Sequence, residues 1–282
     1  QRIGDLAGAA GDMRARGFLI GGTAGRTTLA GEGLQHQDGH SHLQAATIPN
    51  CLSYDPAFAY ELAVIVQDGM RRMFQEQENI FYYITVMNEN YPQPALPDGV
   101  EQGIIKGIYL YRKGGRRKKR VQLLGSGTIL REVIAAADLL EQDFGVSADV
   151  WSVTSFNELR RDGQSVERWN MLHPEMEPQV CYLQQVMAEA KGPVIAATDY
   201  IRAYPNQIRE YVKGRYKVLG TDGFGRSDLR SQLRKFFEVN RYYVVVAALS
   251  TLVEEGELTP SVVSDAIRKY RIDPEKPNPM TV

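Results

Sequence analysis

Three prolines fall within the eleven residues Glu89–Gly99 (ENYPQPALPDG) of a 282-residue chain. Each one removes a backbone donor and fixes φ, so this segment cannot continue a helix or sit inside a sheet. It reads as an interdomain linker over residues 91–99, separating a unit of residues 1–90 from one of residues 100–282. At about 100 to 200 residues per domain, the second unit is of ordinary size and the first is short.

The two sides differ in texture. Before the linker the order is strand, loop, strand, helix, strand. Phe18–Gly22 and Cys51–Tyr54 are short apolar runs. Ala57–Phe74 places Phe58, Leu62, Ile65, Val66, Met70 and Met73 at helical spacing, and Asn79–Met87 is rich in β-branched and aromatic residues. Asp55 is expected to cap the helix, with Pro56 in its first turn. Strand, helix, strand is a crossover unit, but so few strands make an incomplete sheet.

After the linker, strands are expected at Ile104–Tyr111, Val121–Leu124, Asp149–Val153, Pro193–Thr198 and Tyr216–Leu219. Helices are expected at Thr128–Asp143, ending at Gly145, then at Asp228–Glu238 with Ser227 as cap. Two more follow, at Arg241–Glu254 capped by Asn240 and from Thr259–Pro260 to Tyr270. Five strands alternating with helices imply an α/β fold with a mostly parallel or mixed five-stranded sheet.

Composition narrows the function. With 33 basic and 34 acidic residues, the net charge of -1 argues against nucleic-acid binding by bulk charge. The run Arg112–Arg120 contains Gly-Gly and no interleaved aromatic residue, and reads as a solvated hairpin turn. The longest nearly apolar run, Tyr242–Val253, falls short of the ~20 residues that span a bilayer. No cationic-then-apolar signal segment opens the chain, so neither a nucleic-acid nor a membrane partner is expected. Cys51 and Cys181 alone cannot build a disulfide framework and suit a reducing compartment. The sequence opens at Gln1 and runs straight into patterned residues, which leads to the expectation of a truncated or processed chain.

Three of the four histidines lie in one window: Glu32-Gly33-Leu34-Gln35-His36-Gln37-Asp38-Gly39-His40-Ser41-His42. The segment before it, GGTAGRTTLAGEG, is small and polar, so the window sits on a loop. Three readings are open. The histidines can be hydrogen-bonding filler. They can ligate zinc together with Asp38 or Glu32, although the helical HExxH spacing is absent. Or one can act as an acid, base or substrate-binding imidazole. A second loop, Gly220–Asp228, contains Gly-Phe-Gly-Arg-Ser ahead of a helix; a turn with a helix cap is favoured over an anion cradle using Arg226.

These residues carry a resemblance. The stretch from QRIGDLAGAAGDMRARGFLIGG through GEGLQHQDGHSHLQAATIPNCLSYDPAFAYE resembles the homodimeric type of pyruvate dehydrogenase, the decarboxylase component of the bacterial pyruvate dehydrogenase complex. So do YYITVMNENYPQPALPDGVEQGIIKGIY, VQLLGSGTILREVIAAADLL, SVTSFNELRRDGQSVERWNMLHP and VLGTDGFGRSDLR. The resemblance implies the C-terminal half of a pyrimidine-binding α/β domain followed by a transketolase C-terminal-type α/β domain. It also implies thiamine-diphosphate- and Mg2+-dependent oxidative decarboxylation of pyruvate, with the acetyl unit passed to the lipoyl group of the dihydrolipoyl acyltransferase component. A homodimer and a cytoplasmic, bacterial setting are implied too. His36 takes the position of the family's active-site histidine and Glu32 that of a glutamate near the active-centre entrance. His40, His42 and Asp38 are taken as loop-ordering. The family's GDG metal motif is absent from the Asp-Gly pairs at Asp38, Asp68, Asp162 and Asp222. The cofactor's anchor is therefore expected upstream, and the 282-residue chain alone is expected to be inactive. The alternatives are a non-catalytic interaction or dimerisation fragment and a metal-binding histidine cluster.

Overall fold

A computed structural model describes the chain except for Gln1, Thr23, residues 29–32, Leu34 and Gln35, and the side chains of Arg2 and Ile3. The first part contains α1 (Arg2–Asp12), β1 (Phe18–Gly21), α2 (Ser41–Ala45), β2 (Cys51–Tyr54), α3 (Ala59–Met70) and β3 (Phe81–Thr85). Its sheet has the order β1-β3-β2 and is wholly parallel, with Leu19 opposite Tyr83 and Leu52 opposite Tyr82. The expected crossover is thus β2-α3-β3, in which α3 ends in a π turn over Arg71–Gln75. The sequence pattern does not show helices α1 and α2. The sequence of α1, RIGDLAGAAGD, has too few large apolar positions to show a period, and α2 is little more than one turn.

Asp55 does not cap α3. The helix opens three residues later, behind Phe58, and the amides of Ala57 and Phe58 donate to Glu61 Oε2 at 2.5 and 3.1 Å. A glutamate inside the first turn reaches back to do what a cap residue does. Its other oxygen accepts from Tyr109 and from Ser152, both at 2.6 Å, so the buried carboxylate also ties α3 to the second sheet.

Residues 86–97 carry neither helix nor strand. Beyond them come α4 (Glu101–Lys106), β4 (Ile108–Arg112), β5 (Arg120–Gly125), α5 (Ile129–Phe144), β6 (Ser147–Val153), α6 (Phe156–Leu172) and α7 (Tyr182–Val186). There follow β7 (Val194–Ala197), α8 (Ala203–Asn206), β8 (Tyr216–Leu219), α9 (Arg230–Phe236), α10 (Arg241–Glu254) and α11 (Pro260–Lys269). The sheet order is β4-β6-β5-β7-β8, with β4 antiparallel and the others parallel, a mixed α/β sheet as expected.

The expected strand at Ile104–Tyr111 is in fact the end of α4 followed by β4. Gly107 separates them at φ +107, the left-handed geometry that closes a helix, and a Cβ there would lie 2.5 Å from Ser155 O. Ser227 does not cap α9, which opens behind an extended Leu229 without a side-chain cap. Asn240 does cap α10, accepting from the amides of Tyr242 and Tyr243.

The basic run is not a hairpin. Strand β6 lies between β4 and β5, so residues 113–119 cross its amino end. Buried Asp149 organises this crossing: it accepts from the Gly114 amide at 2.8 Å, Arg120 at 2.6 Å, Gln122 at 3.0 Å and Lys113 at 3.2 Å. Arg117 pairs with Glu141 at 2.9 Å. Several of the cations are thus already spent inside the fold.

The second sheet buries both faces. Val133, Leu140, Val245 and Leu249 from α5 and α10 pack on one side, while Phe156, Leu159 and Tyr204 from α6 and α8 pack on the other. Helix α6 also lies against β2, so the two sheets share it as a layer. Cys51 and Cys181 are buried and unbridged. The stretch Arg230–Glu254 is long and apolar enough to cross a membrane, but it is two helices parted at Glu238 (φ 62), and half of it is inside the fold.

Candidate functional site

The parallel strands of both sheets end at one seam. After β2, the Asp55 amide donates to Thr154 O at 2.8 Å, and the Gly127 amide after β5 donates to Asp55 O at 3.1 Å. After β1, Ala24 N donates to Val86 O and Arg26 N to Asp199 O, which follows β7. Ligand sites in open α/β sheets gather outside the carboxyl ends of strands, and that is where the histidine loop lies.

Each part of the loop 36–42 is held differently. His36 stands exposed in a turn. Next to it Gln37 is buried, and its Oε1 accepts from the Arg226 amide at 2.7 Å. Asp38 accepts from the amides of His40 and Ser41, both at 3.0 Å, and from the Ser41 hydroxyl, which satisfies the opening of α2. Gly39 is covered by Arg26: a Cβ there would come 2.1 Å from Arg26 Nε. The guanidinium of Arg26 reaches Gly223 O and faces Asp38, Asp222 and Asp199.

His40 is exposed, whereas His42 is completely enclosed. The His42 ring stacks on Tyr204 at 4.7 Å and meets Tyr200 edge-on at 4.7 Å. Its nitrogens contact Ser53 Oγ at 3.2 Å and Thr85 Oγ1 at 3.1 Å. Burial pushes its pKa down to about 4, against an opposing pull from Asp38, so the ring is neutral at pH 7. The three histidines therefore do not make one donor set, since His42 is spent on hydroxyls in the interior. Among the described residues, no three His, Cys, Asp or Glu side chains converge as metal ligands. Glu32 lies outside the described residues.

Two buried aspartates flank the loop. Asp199 accepts from the Thr27 amide and hydroxyl at 2.9 and 2.6 Å and from the Thr28 hydroxyl at 2.8 Å. Burial raises its pKa, and these bonds with the nearby charge of Arg234 oppose the rise. Asp55 Oδ1 accepts from Thr85 at 2.8 Å, while Oδ2 has no hydrogen-bond partner among the described residues. Burial lifts its pKa to about 7, eased by the hydroxyls of Thr85 and Ser126 and reinforced by Asp199 and Glu61.

The loop Gly220–Asp228 forms no anion cradle. Its Arg226 amide is taken by Gln37, and the Arg226 guanidinium lies 5.3 Å over the Phe236 ring. Sequence reading missed Arg26, Gln37, Asp55 and Asp199 as members of the seam. The available signal was positional: Asp55 and Asp199 each stand just past a short apolar strand, at its carboxyl end.

Comparison with known proteins agrees with this architecture. Residues 1–94 match the family model of the pyruvate dehydrogenase E1 component middle domain, and residues 107–240 that of the transketolase-like C-terminal domain. The pyruvate dehydrogenase E1 component of Pseudomonas aeruginosa is 65% identical over 99% of this chain, and that of Escherichia coli K12 is 62% identical over 99%. In each case the chain spans about a third, 32%, of the relative's length. Among solved structures, transketolase from Campylobacter jejuni has the same fold at a TM-score of 0.61 and 20% identity, over 87% of this chain and 33% of that one. With these identities over nearly its whole length, the chain belongs to the pyruvate dehydrogenase E1 component family.

Proposed function

We propose that this chain is the part of an E1 component that presents His36 to pyruvate during its oxidative decarboxylation, the acetyl unit passing to a lipoyl group of the dihydrolipoyl acyltransferase. The observation that carries the reading is the 65% identity to an E1 component over 99% of the chain. The loop's geometry supports it. His36 is exposed and directly precedes the buried Gln37 anchor and the Asp38 turn, so the backbone on its carboxyl side is fixed, and an imidazole can bind a carbonyl or carboxylate. An imidazole N–H there stabilises negative charge developing on the substrate's oxygens.

Thiamine diphosphate, when bound, supplies the electron sink for loss of carbon dioxide. No three metal-ligating side chains converge among the described residues, so no step is assigned to magnesium here. This chain's share is on the substrate side: holding His36, ordering its loop and keeping the surrounding seam dry. Glu32, a homodimeric assembly and a bacterial cytoplasmic setting belong to the same proposal.

The test uses an enzyme of the relatives' full length carrying this sequence. His36→Ala is expected to lower pyruvate-dependent ferricyanide reduction by about 100-fold or more, with thiamine diphosphate affinity unchanged. Lost cofactor binding with intact substrate kinetics would make His36 structural instead. The 282-residue chain by itself is expected to show no such activity, and turnover by it would overturn that expectation.

A further inference from the structure

A single-file line of hydrogen bonds runs through the seam, and backbone carbonyls set its direction. The Gln207 amide nitrogen contacts Tyr204 O at 3.0 Å and Asn157 Oδ1 at 2.8 Å. A carbonyl only accepts, so Gln207 faces Asn157 with its nitrogen and Asn157 answers with its oxygen. Asn157 Nδ2 then donates to His42 O at 2.8 Å and to Ser53 Oγ at 2.5 Å.

The Ser53 hydroxyl accepts there, and its one proton points to His42 Nδ1 at 3.2 Å. Because Nδ1 accepts, Nε2 carries the ring proton and donates to Thr85 Oγ1 at 3.1 Å. Thr85 has Asp55 Oδ1 at 2.8 Å and Tyr54 O at 3.3 Å, and its proton goes to the nearer. Ser53, His42, Thr85, Asn157 and Asp55 are all buried.

The opposite ring tautomer satisfies the line less well. Ser53 Oγ would accept from both Asn157 and His42, leaving its own proton without an acceptor among the described residues, and the Nε2 lone pair and Asp55 Oδ1 would compete for the single Thr85 proton. Protonation of Asp55 keeps this direction when the added proton sits on Oδ2, whereas a proton on Oδ1 would donate to Thr85 and reverse it, so an Nε2–H ring also reports which Asp55 oxygen faces Thr85 as an acceptor. The line therefore crosses from α8 and α6 on the second sheet to β2 and β3 on the first, and its middle member is the last residue of the histidine loop.

We propose that Thr85 and Asp55 are positioning residues of the His36 loop: they hold His42 in its Nε2-protonated form, and His42 pins the loop between the two sheets. The consequence for turnover rests on the reading of His36 given above, whereas the consequence for the loop does not.

The experiment is Thr85→Val, close in shape and without the hydroxyl, made in the 282-residue chain. The readouts are nitrogen-15 correlation spectra of the four histidine rings and amide exchange over residues 36–42. In the unaltered chain, His42 is expected to remain a neutral Nε2–H ring from roughly pH 5 to 8. Thr85→Val is expected to mix the tautomers and to speed exchange in the loop about tenfold, with α5 and β6 unchanged. Thr85→Ser is expected to restore both signatures. An Nδ1–H ring in the unaltered chain overturns the proposal, and that measurement stands even if Thr85→Val does not fold. Unchanged tautomer and exchange in Thr85→Val also overturn it. In the full-length enzyme, a loosened loop with unchanged turnover would support the positioning and count against His36 as the substrate-binding residue.

Discussion

Asp149 and Asp55 are both buried aspartates at strand ends, one at the amino end of β6 and the other past the carboxyl end of β2. Around Asp149 the chain has collected two cations, a backbone amide and a side-chain amide, which together hold its carboxyl below the ordinary range despite burial. Around Asp55 the described residues supply hydroxyls and no paired cation, and burial lifts the carboxyl to about 7. The first is a finished structural joint. The second is a polar group left incompletely satisfied at the place where α/β folds put their ligands, and such imbalance is characteristic of functional sites.

The comparison breaks first at Asp149. Asp149→Ala leaves Arg120 inside the fold without its counter-charge and should cost about 3 kcal/mol, the lower end for a buried pair because Lys113 stays in water. A shift in the urea midpoint reads it, and a loss below about 1 kcal/mol would mean that the run 113–119 is held by other contacts. The stability from Asp149 is present above the ordinary aspartate pKa of 3.8 and falls as pH drops through its lowered value.

Asp55 carries the opposite sign. Its folded pKa of about 7 exceeds the unfolded 3.8, so the folded state binds more protons between those values and stability declines as pH rises through that window. Asp55→Asn should abolish that decline, which for a rise of this size is at most about 4 kcal/mol. The facing groups are His42, Asp199, Glu61, Tyr200 and Tyr204. If the wild-type slope persisted in Asp55→Asn, one of these would be the titrating group. The smallest effect is expected at the exposed rim of the basic crossing. Arg117→Ala should change stability by less than about 0.5 kcal/mol, since its pair with Glu141 is solvated.

Legibility followed the range of the forces involved. Cys51–Tyr54, Tyr216–Leu219 and Arg241–Glu254 were placed to the residue because apolar runs and a local cap define them. The apolar run Ile104–Tyr111 does not show the start of strand β4, because only a left-handed Gly107 pressed on Ser155 marks where α4 stops. A local rule gives the cap of α3 to Asp55. The structure gives that task to Glu61 and frees Asp55 for the seam, a choice made by residues Tyr109, Ser152 and Thr85 that are distant in sequence.

By itself the sequence determined the alternation of strands and helices, the break at the prolines, the clustering of histidines on a loop and the family resemblance, all written in neighbouring residues. Only the tertiary structure decided that β6 lies between β4 and β5 and that its Asp149 pairs with Lys113 and Arg120 of the basic run. It alone decided that His42 is enclosed while His36 is exposed, and that Asp55 reaches His42 through Thr85. The reason is physical. Sheet order and the direction of a hydrogen-bond line depend on partners brought together from across the chain, and no local propensity encodes which donor will meet which acceptor.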